Sequence, residues 1–349
     1  MKILNIMLGT KKGGLEQVFV DYINAQLIGK HEVYGVCMKK CPYVKQVEEL
    51  DVKLEKLTSR SIYNPLSVYK IFKIIKKINP DLIVLCGNRP VKMTISNPFK
   101  FLFKTKKPVL SIINNNHSYV KDVKYAVSVS TDIQAKVKSE GVEHSFYAPN
   151  TTKTEPFKAY DETKKPVVGV IGRLHKNKGF DVFLESVKIL KDQGFDFKIV
   201  IAGDGPEKET LDQKAKDLGL FDDIEFMGWI DDKNKFYDKI DIFCLSSRVE
   251  PFGIVLLEAM TRTKAIVSTD CQGPLDVFEN STDGIVVEKE NPQALALGLQ
   301  KLLENPSLAK TLAENGYKKS VDEYSPERLS ERLDEVFKQI LQLKERNKE

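Results

Sequence analysis

Short apolar runs and amphipathic stretches alternate along almost the whole chain. Ile3–Leu8, Glu32–Met38, Leu82–Cys86, Val109–Ile113, Tyr125–Val129 and Ser145–Ala148 read as strands. Between them, Gly14–Gln26, Pro65–Ile78 and Thr131–Ser139 repeat apolar residues at the three- and four-residue spacing of a buried helix face. A polar, aperiodic stretch, 151–165, then breaks the pattern. Alternation restarts with strands Val167–Ile171, Phe197–Ala202, Ile224–Met227, Ile242–Leu245, Ala265–Ser268 and Ile285–Val287. Helical patterns fall between these at Phe180–Leu190, Glu207–Leu218, Lys235–Lys239 and Gly253–Met260. From Pro292 onward only helices are expected, with Ser325-Pro326 as N-cap and first turn of the last. Strands alternating with helices form βαβ units and parallel sheets. The expected architecture is therefore α/β, with two doubly wound domains at 1–150 and 166–324. Residues 151–165 are the linker, and a terminal helix at 325–349 can pack back toward the first domain. In such sheets ligands bind beyond the carboxyl ends of the strands.

Composition narrows the class. The chain has 349 residues, 42% hydrophobic and 30% charged, the make-up of an ordinary globular protein. Its longest apolar runs fall well short of the ~18 residues that span a bilayer. The N-terminus reads as a first strand, not as a signal peptide. The net charge of +5 conceals an asymmetry: residues 1–150 hold 24 Lys+Arg against 12 Asp+Glu, and residues 151–349 hold 30 against 37. A basic first half points to an anionic partner. The five cysteines are scattered, with no zinc-ligand spacing, as expected of a reducing cytoplasm.

Candidate chemistry gathers after the strand Ile242–Leu245. There Glu250, Pro251, Phe252, Gly253 and Ile254 enter a helix pattern that carries Glu258 about two turns in. Pro251 suits a first helical turn, so the N–H groups of Gly253 and Ile254 would form an anion site. Ionised carboxylates on either side accept hydrogen bonds from ligand hydroxyls. Glu pairs eight apart also arise at 323/331 and 327/335, where solvated helix faces explain them. Arg173 and Lys178 follow another strand end, and two such cations suit a diphosphate. His117 also follows a strand end; His31, His144 and His175 read as surface residues. No Asp-x-Asp pair occurs.

Glu250-Pro-Phe-Gly-Ile-Val-Leu-Leu-Glu258-Ala-Met resembles the signature of retaining glycosyltransferases of the GT-B fold, family 4 (group 1) in particular. Gly172-Arg173-Leu174 with Lys176–Gly179, Ala202-Gly203-Asp204-Gly205-Pro206 and Phe226-Met227-Gly228-Trp229-Ile230 extend the likeness through the second half. Gly13-Gly14, His117 and Pro149-Asn150 carry it more sparsely in the first. The resemblance implies two Rossmann-like domains facing each other across a cleft, with an acceptor domain first and a nucleotide-sugar donor domain second. It implies that Arg173 and Lys178 hold the donor diphosphate, that Glu250 bonds sugar hydroxyls and that Glu258 bonds the ribose. Backbone at Gly14, Gly172, Gly203, Phe252, Gly253 and Ile254 would approach the donor, Trp229 and Ile230 would frame the base, and His117 would sit near the sugar.

The implied reaction transfers a sugar from a nucleotide-diphosphate-sugar to a hydroxyl of a glycan or glycolipid, as in bacterial lipopolysaccharide or envelope polysaccharide synthesis. No metal and no other cofactor are expected, because Arg, Lys and helix-end amides would stabilise the leaving diphosphate. A nucleotide-sugar epimerase of the same fold and a non-catalytic glycan- or nucleotide-binding subunit remain open alternatives. Two basic segments mark the first half. Leu66–Ile78 reads as a packed helix with a solvated lysine face, whereas Phe99–Lys107 interleaves Phe and Lys in a way that suits peripheral contact with an anionic membrane. No nucleic-acid-binding module appears, so no nucleic-acid partner is expected.

Overall fold

The computed structural model describes residues 1–10, 14–58, 64–96, 105–114 and 120–346. They form two compact units: Met1–Thr151 together with the helix Pro326–Arg346, and Thr152–Ser325.

Among its described residues the first unit is built on seven parallel strands: β1 (Lys2–Met7), β2 (Glu32–Met38), β3 (Lys53–Leu57), β4 (Leu82–Cys86), β5 (Val109–Ile113), β6 (Tyr125–Ser128) and β7 (His144–Tyr147). Their order is β3-β2-β1-β4-β5-β6-β7. The inner strands read as unbroken apolar runs because both their faces are covered. Asn5, fully buried in β1, is satisfied by reciprocal amide hydrogen bonds with Gln26 at 2.6 and 3.0 Å. β3 was not expected: three of the five residues in its Lys-Leu-Glu-Lys-Leu sequence are charged, which an edge strand tolerates. The helix Pro326–Arg346 buries Leu329, Leu333, Phe337 and Ile340 and packs on the helix Gly14–Ile28. His31 anchors it, with Nε2 2.6 Å from Asp334 Oδ1 and its ring edge-on to Phe337 at 5.9 Å. His31 is thus a packing residue and not the surface histidine expected. His144 likewise stacks on Tyr125 at 5.2 Å.

The second unit holds six parallel strands: β8 (Val167–Ile171), β9 (Lys198–Ala202), β10 (Ile224–Gly228), β11 (Ile242–Leu245), β12 (Ala265–Thr269) and β13 (Ile285–Val287). Their order is β10-β9-β8-β11-β12-β13. The helix Phe180–Asp192 lays Phe183, Leu184, Val187 and Leu190 on Val168, Val170, Ile199 and Ile201. The helix Pro292–Glu304 adds Leu295, Leu299 and Leu302 to the same core.

The aperiodic stretch at the head of this unit is fastened by side chains instead of a ladder. Glu155 pairs with Arg262 at 3.1 Å, its carbonyl accepts from the Tyr317 hydroxyl at 3.1 Å, and Phe157 meets Tyr317 edge-on at 5.1 Å. Lys164 reaches Asp241 at 2.7 Å and Lys310 reaches Glu162 at 2.9 Å.

Each strand order reverses once, between β1 and β4 in the first sheet and between β8 and β11 in the second. Loops leaving two such neighbours diverge to opposite faces, which opens a crevice at the carboxyl edge of the sheet.

Candidate active site in the second unit

The loops after β8 and β11 border the reversal of the second sheet and are laced together. Arg248 N donates to Asn177 O at 2.8 Å, and the Ser246 hydroxyl donates to Lys178 O at 3.0 Å. A Cβ added at Gly179 would stand 2.0 Å from Ser246 O, so only glycine permits this approach. Arg248 closes the junction. Its guanidinium forms a two-bond fork with Asp181 at 2.7 and 2.7 Å, reaches Glu290 at 3.0 Å and donates to the Lys176 carbonyl at 2.8 Å. Burial pushes the Asp181 carboxyl up, but the hydrogen bonds and charge of Arg248 outweigh it and hold the group below the usual range. Behind the loop, the Thr269 hydroxyl and the Cys271 thiol both donate to Ser247 O, at 2.7 and 3.0 Å.

Within this frame Lys178 Nζ meets Glu250 Oε2 at 2.5 Å. The Glu250 side chain is only 10% exposed and that of Lys178 29%, so the pair is partly shielded from water. Arg173, by contrast, is exposed and carries no ion pair or hydrogen bond among the described residues. One cation is therefore neutralised in place and the other is free to meet an anion. Glu250 is further fixed through its backbone, whose carbonyl accepts from Gly273 N at 3.2 Å.

Pro251 does not open the helix, as the sequence suggested. Gly253 adopts the left-handed region at φ 91°, and the helix runs only over Ile254–Met260. The turn Pro251–Gly253 thus precedes the helix as a loop. Phe252 is buried with its ring 6.2 Å from Tyr324, and its backbone packs closely against Gly273. Ile254 is half-buried at the helix start.

Glu258 is engaged already. Lys233 Nζ lies 2.5 Å from Oε1, and the Tyr237 hydroxyl donates to Oε2 at 3.1 Å. Burial, together with the Glu258 charge, pushes the Tyr237 hydroxyl far above its ordinary range, so it stays a donor. Arg262 lies 5.0 Å over the Tyr237 ring and donates to the Glu258 carbonyl at 2.9 Å.

The remaining expected residues assemble at the ends of β8, β9 and β10. Gly172 N donates to Ala202 O at 3.1 Å and Gly203 N to Gly228 O at 2.8 Å. Gly203 has φ 142°, and a Cβ there would stand 1.9 Å from Gly172 O. Trp229 projects from the same edge, 55% exposed, with Nε1 donating to Asp231 at 3.3 Å; Ile230 beside it is half-buried.

In the first unit Gly14 is exposed at the start of its helix, just beyond β1 at the reversal of that sheet. Gly13, His117 and most of Phe99–Lys107 lie outside the described residues. No cluster of three or more metal-ligating side chains occurs among the described residues.

The second unit therefore gathers Arg173, Lys178, Glu250, Gly253 and Ile254 around one strand crevice, with Glu258 and Trp229 held on neighbouring elements. Sequence reasoning missed Arg248, Asp181, Lys233 and Tyr237. Arg248 was visible inside the quoted segment, but its partner lies 67 positions away, and nothing local announces such a pair.

Residues 152–319 match the family model described as glycosyl transferases group 1. The lipopolysaccharide core biosynthesis glycosyltransferase LpsE of Rhizobium meliloti is 26% identical over 339 residues, 95% of this chain and 97% of that protein. Among solved structures, a glycosyltransferase from Rickettsia africae superposes with a TM-score of 0.82 at 20% identity, covering 97% of this chain and 98% of that one. The Anabaena protein Alr3699/HepE, solved with UDP and glucose, superposes with a TM-score of 0.79 at 18% identity, covering 97% and 99%. The chain thus has the GT-B fold seen in solved glycosyltransferases, and residues 152–319 resemble glycosyl transferases group 1.

Proposed function

We propose that this protein is a retaining, metal-independent glycosyltransferase of family 4. It would move a sugar from a nucleotide-diphosphate-sugar to a hydroxyl of a glycan or glycolipid, on the cytoplasmic side, in bacterial lipopolysaccharide or envelope polysaccharide synthesis. The observation that carries the reading is the shielded Lys178–Glu250 pair at the sheet reversal, in the same β8 loop that carries Arg173, exposed and without an ion pair among the described residues. A diphosphate can draw on Arg173 directly and share Lys178 with Glu250. Glu250 Oε1 and the loop backbone then remain for sugar hydroxyls. As the bond to the sugar breaks, negative charge grows on the leaving diphosphate, and cations fixed beforehand stabilise it without reorganising. Lys233 and Tyr237 orient the Glu258 carboxyl, a geometry able to accept the two hydroxyls of a ribose. The near full-length likeness to LpsE supports the lipopolysaccharide setting. The HepE complexes make UDP-sugars the first donors to try.

The test is a thermal-shift screen of nucleotide-sugars, followed by transfer assays with and without lipopolysaccharide-core acceptors. NMR of the product's anomeric configuration reads out retention, and chelator treatment reads out metal dependence. Arg173→Ala and Lys178→Ala should each cost at least ~10² in turnover with the fold intact. Near-wild-type turnover in both would remove the assignment. Release of an altered sugar without any acceptor would point to an epimerase, and binding without turnover to a non-catalytic subunit.

A further inference from the structure

Two of the five cysteines lie together at the end of β2, in a place the candidate site does not use. Cys37 is the last residue but one of that strand, with Met7 of β1 beside it in the ladder and Lys56 of β3 on its other side. The chain then turns back at once: Cys41 N donates to Met38 O at 2.8 Å, and Val44 N donates to Cys41 O at 3.3 Å. This turn carries the second thiol onto the first, and the two hydrogen-bond each other, Cys37 donating to Cys41. The backbone N–H of Tyr43 donates to the Cys41 sulfur as well. Two donors on one sulfur favour its thiolate. The hydrogen bond from Cys37, helped by the Tyr43 amide, outweighs burial and the charge of Glu16 and brings the Cys41 thiol down to about 7. The same hydrogen bond, with burial added, pushes the Cys37 thiol far up, the charge of Lys56 opposing that rise and that of Glu48 adding to it. One sulfur is thus set as the nucleophile and its neighbour keeps a proton. Cys41 is 6% exposed and sits between exposed Lys40 and Pro42, an access that favours a small oxidant over a bulky one.

We propose that Cys37 and Cys41 are a peroxide-sensitive dithiol, a modification site that closes reversibly into a disulfide across the turn after β2. The Cys41 thiolate attacks one oxygen of hydrogen peroxide and the O–O bond breaks. The sulfur becomes a sulfenic acid, and the other oxygen leaves as hydroxide, which takes up a proton to become water. Cys37 then gives up its proton, its sulfur attacks the sulfenic sulfur, and the second oxygen departs as water. Two thiols and one peroxide give one disulfide and two waters. Cys86 cannot compete for Cys37, because Met7 stands between them in the ladder. Two strand spacings of about 4.8 Å each exceed the ~7 Å between Cα atoms that a disulfide can bridge. Burial pushes the Cys86 and Cys244 thiols up, which keeps them protonated, and the Cys271 thiol is committed to Ser247 O at 3.0 Å. The site is independent of the donor chemistry and stands or fails separately from it.

The experiment treats the reduced full chain with hydrogen peroxide, alkylates the remaining thiols and maps the peptides by mass spectrometry. The peptide holding Cys37 and Cys41 should lose two hydrogen atoms and carry no alkyl group, while Cys86, Cys244 and Cys271 are alkylated. Dithiothreitol should restore both thiols. Cys37→Ser should stop at a sulfenic acid on Cys41, trapped by dimedone. Cys41→Ser should slow peroxide consumption on the order of tenfold, the ratio of thiolate near pH 7 between a thiol at about 7 and an ordinary one at about 8.5. Circular dichroism shows that each chain compared is folded, and the wild-type result stands without either variant. The proposal is overturned if the folded wild type keeps both thiols open to alkylation after peroxide, or if the disulfide joins any other pair. It is overturned too if Cys41→Ser consumes peroxide at the wild-type rate.

Discussion

Removing the Arg248 guanidinium tests whether the candidate site is held by the junction of the β8 and β11 loops. Arg248→Met keeps most of the stem volume and deletes four contacts: two to Asp181, one to Glu290 and one to the Lys176 carbonyl. The Arg248 side chain is 17% exposed, whereas those of Asp181 and Glu290 are 39% and 60% exposed. The Glu290 contact is therefore screened and worth little. The Asp181 fork and the carbonyl contact are partly shielded, and losing them should cost about 2–4 kcal/mol. For a unit of about 170 residues, 3 kcal/mol corresponds to roughly an 8 °C fall in melting temperature. The more telling effect is local. Without the clamp, the turn Lys176–Lys178 keeps only its backbone and Ser246 contacts to the β11 loop, so Lys178 and Glu250 share a looser geometry. Donor affinity and turnover should fall together, and Arg248→Lys should restore stability more than activity, because one ammonium cannot reproduce the fork. Asp181, held low by Arg248, contributes stability that is present above the ordinary carboxylate range and lost as pH falls through its folded value. The stability gap between wild type and Arg248→Met should accordingly narrow below about pH 4. Calorimetry from pH 3 to 8 (a window of about one unit below the carboxylate range to well above it), with isothermal titration of a donor, measures both effects. A Met variant with unchanged melting and unchanged donor affinity would refute the reasoning.

Two further outcomes follow from Gly203 and Lys264 in the second unit. Gly203→Ala places a Cβ 1.9 Å from the Gly172 carbonyl at φ 142°, so it should destabilise by about 2–4 kcal/mol in urea titration; a loss under ~1 kcal/mol would contradict the close approach. Lys264, buried and donating to Ile240 O at 2.8 Å, is held down to about 8 by desolvation. Above that pH the unfolded chain binds the proton more tightly than the folded one, so the stability of wild type relative to Lys264→Met should rise between about pH 8 and pH 10.4, by up to about 3 kcal/mol. A difference independent of pH in that window would show that Lys264 is not desolvated.

What could be read from the sequence follows from how local each signal is. Leu82–Cys86 and Val109–Ile113 stand at the residues expected, because a strand covered on both faces must be a continuous apolar run. β3 and the short helices Val44–Glu49, Asn88–Thr94 and Gln272–Val277 were missed, since each is too short or too polar to set up a period. In the site, Arg173, Lys178 and Glu250 were legible because strand ends and loop motifs are local. The pairing of Lys178 with Glu250 was not, because it joins residues 72 apart. Pro251 misled for a physical reason: proline favours a first helical turn, but the left-handed Gly253 delays the helix to Ile254. The stretch around Glu155 read as a linker because its anchors, Arg262, Tyr317 and Lys310, lie 107 to 162 positions further along the chain.

The helix Pro326–Arg346 gives the chain an order of assembly. It completes the first unit, yet it leaves the ribosome after every residue of the second. During synthesis Thr152–Ser325 can close its own core first. The helix Gly14–Ile28, made well before it, keeps the side that will receive Leu333, Phe337 and Ile340 uncovered until Pro326–Arg346 emerges. Of the two units, the one whose synthesis starts first is therefore the one that finishes folding last, and His31 waits some three hundred residues for Asp334.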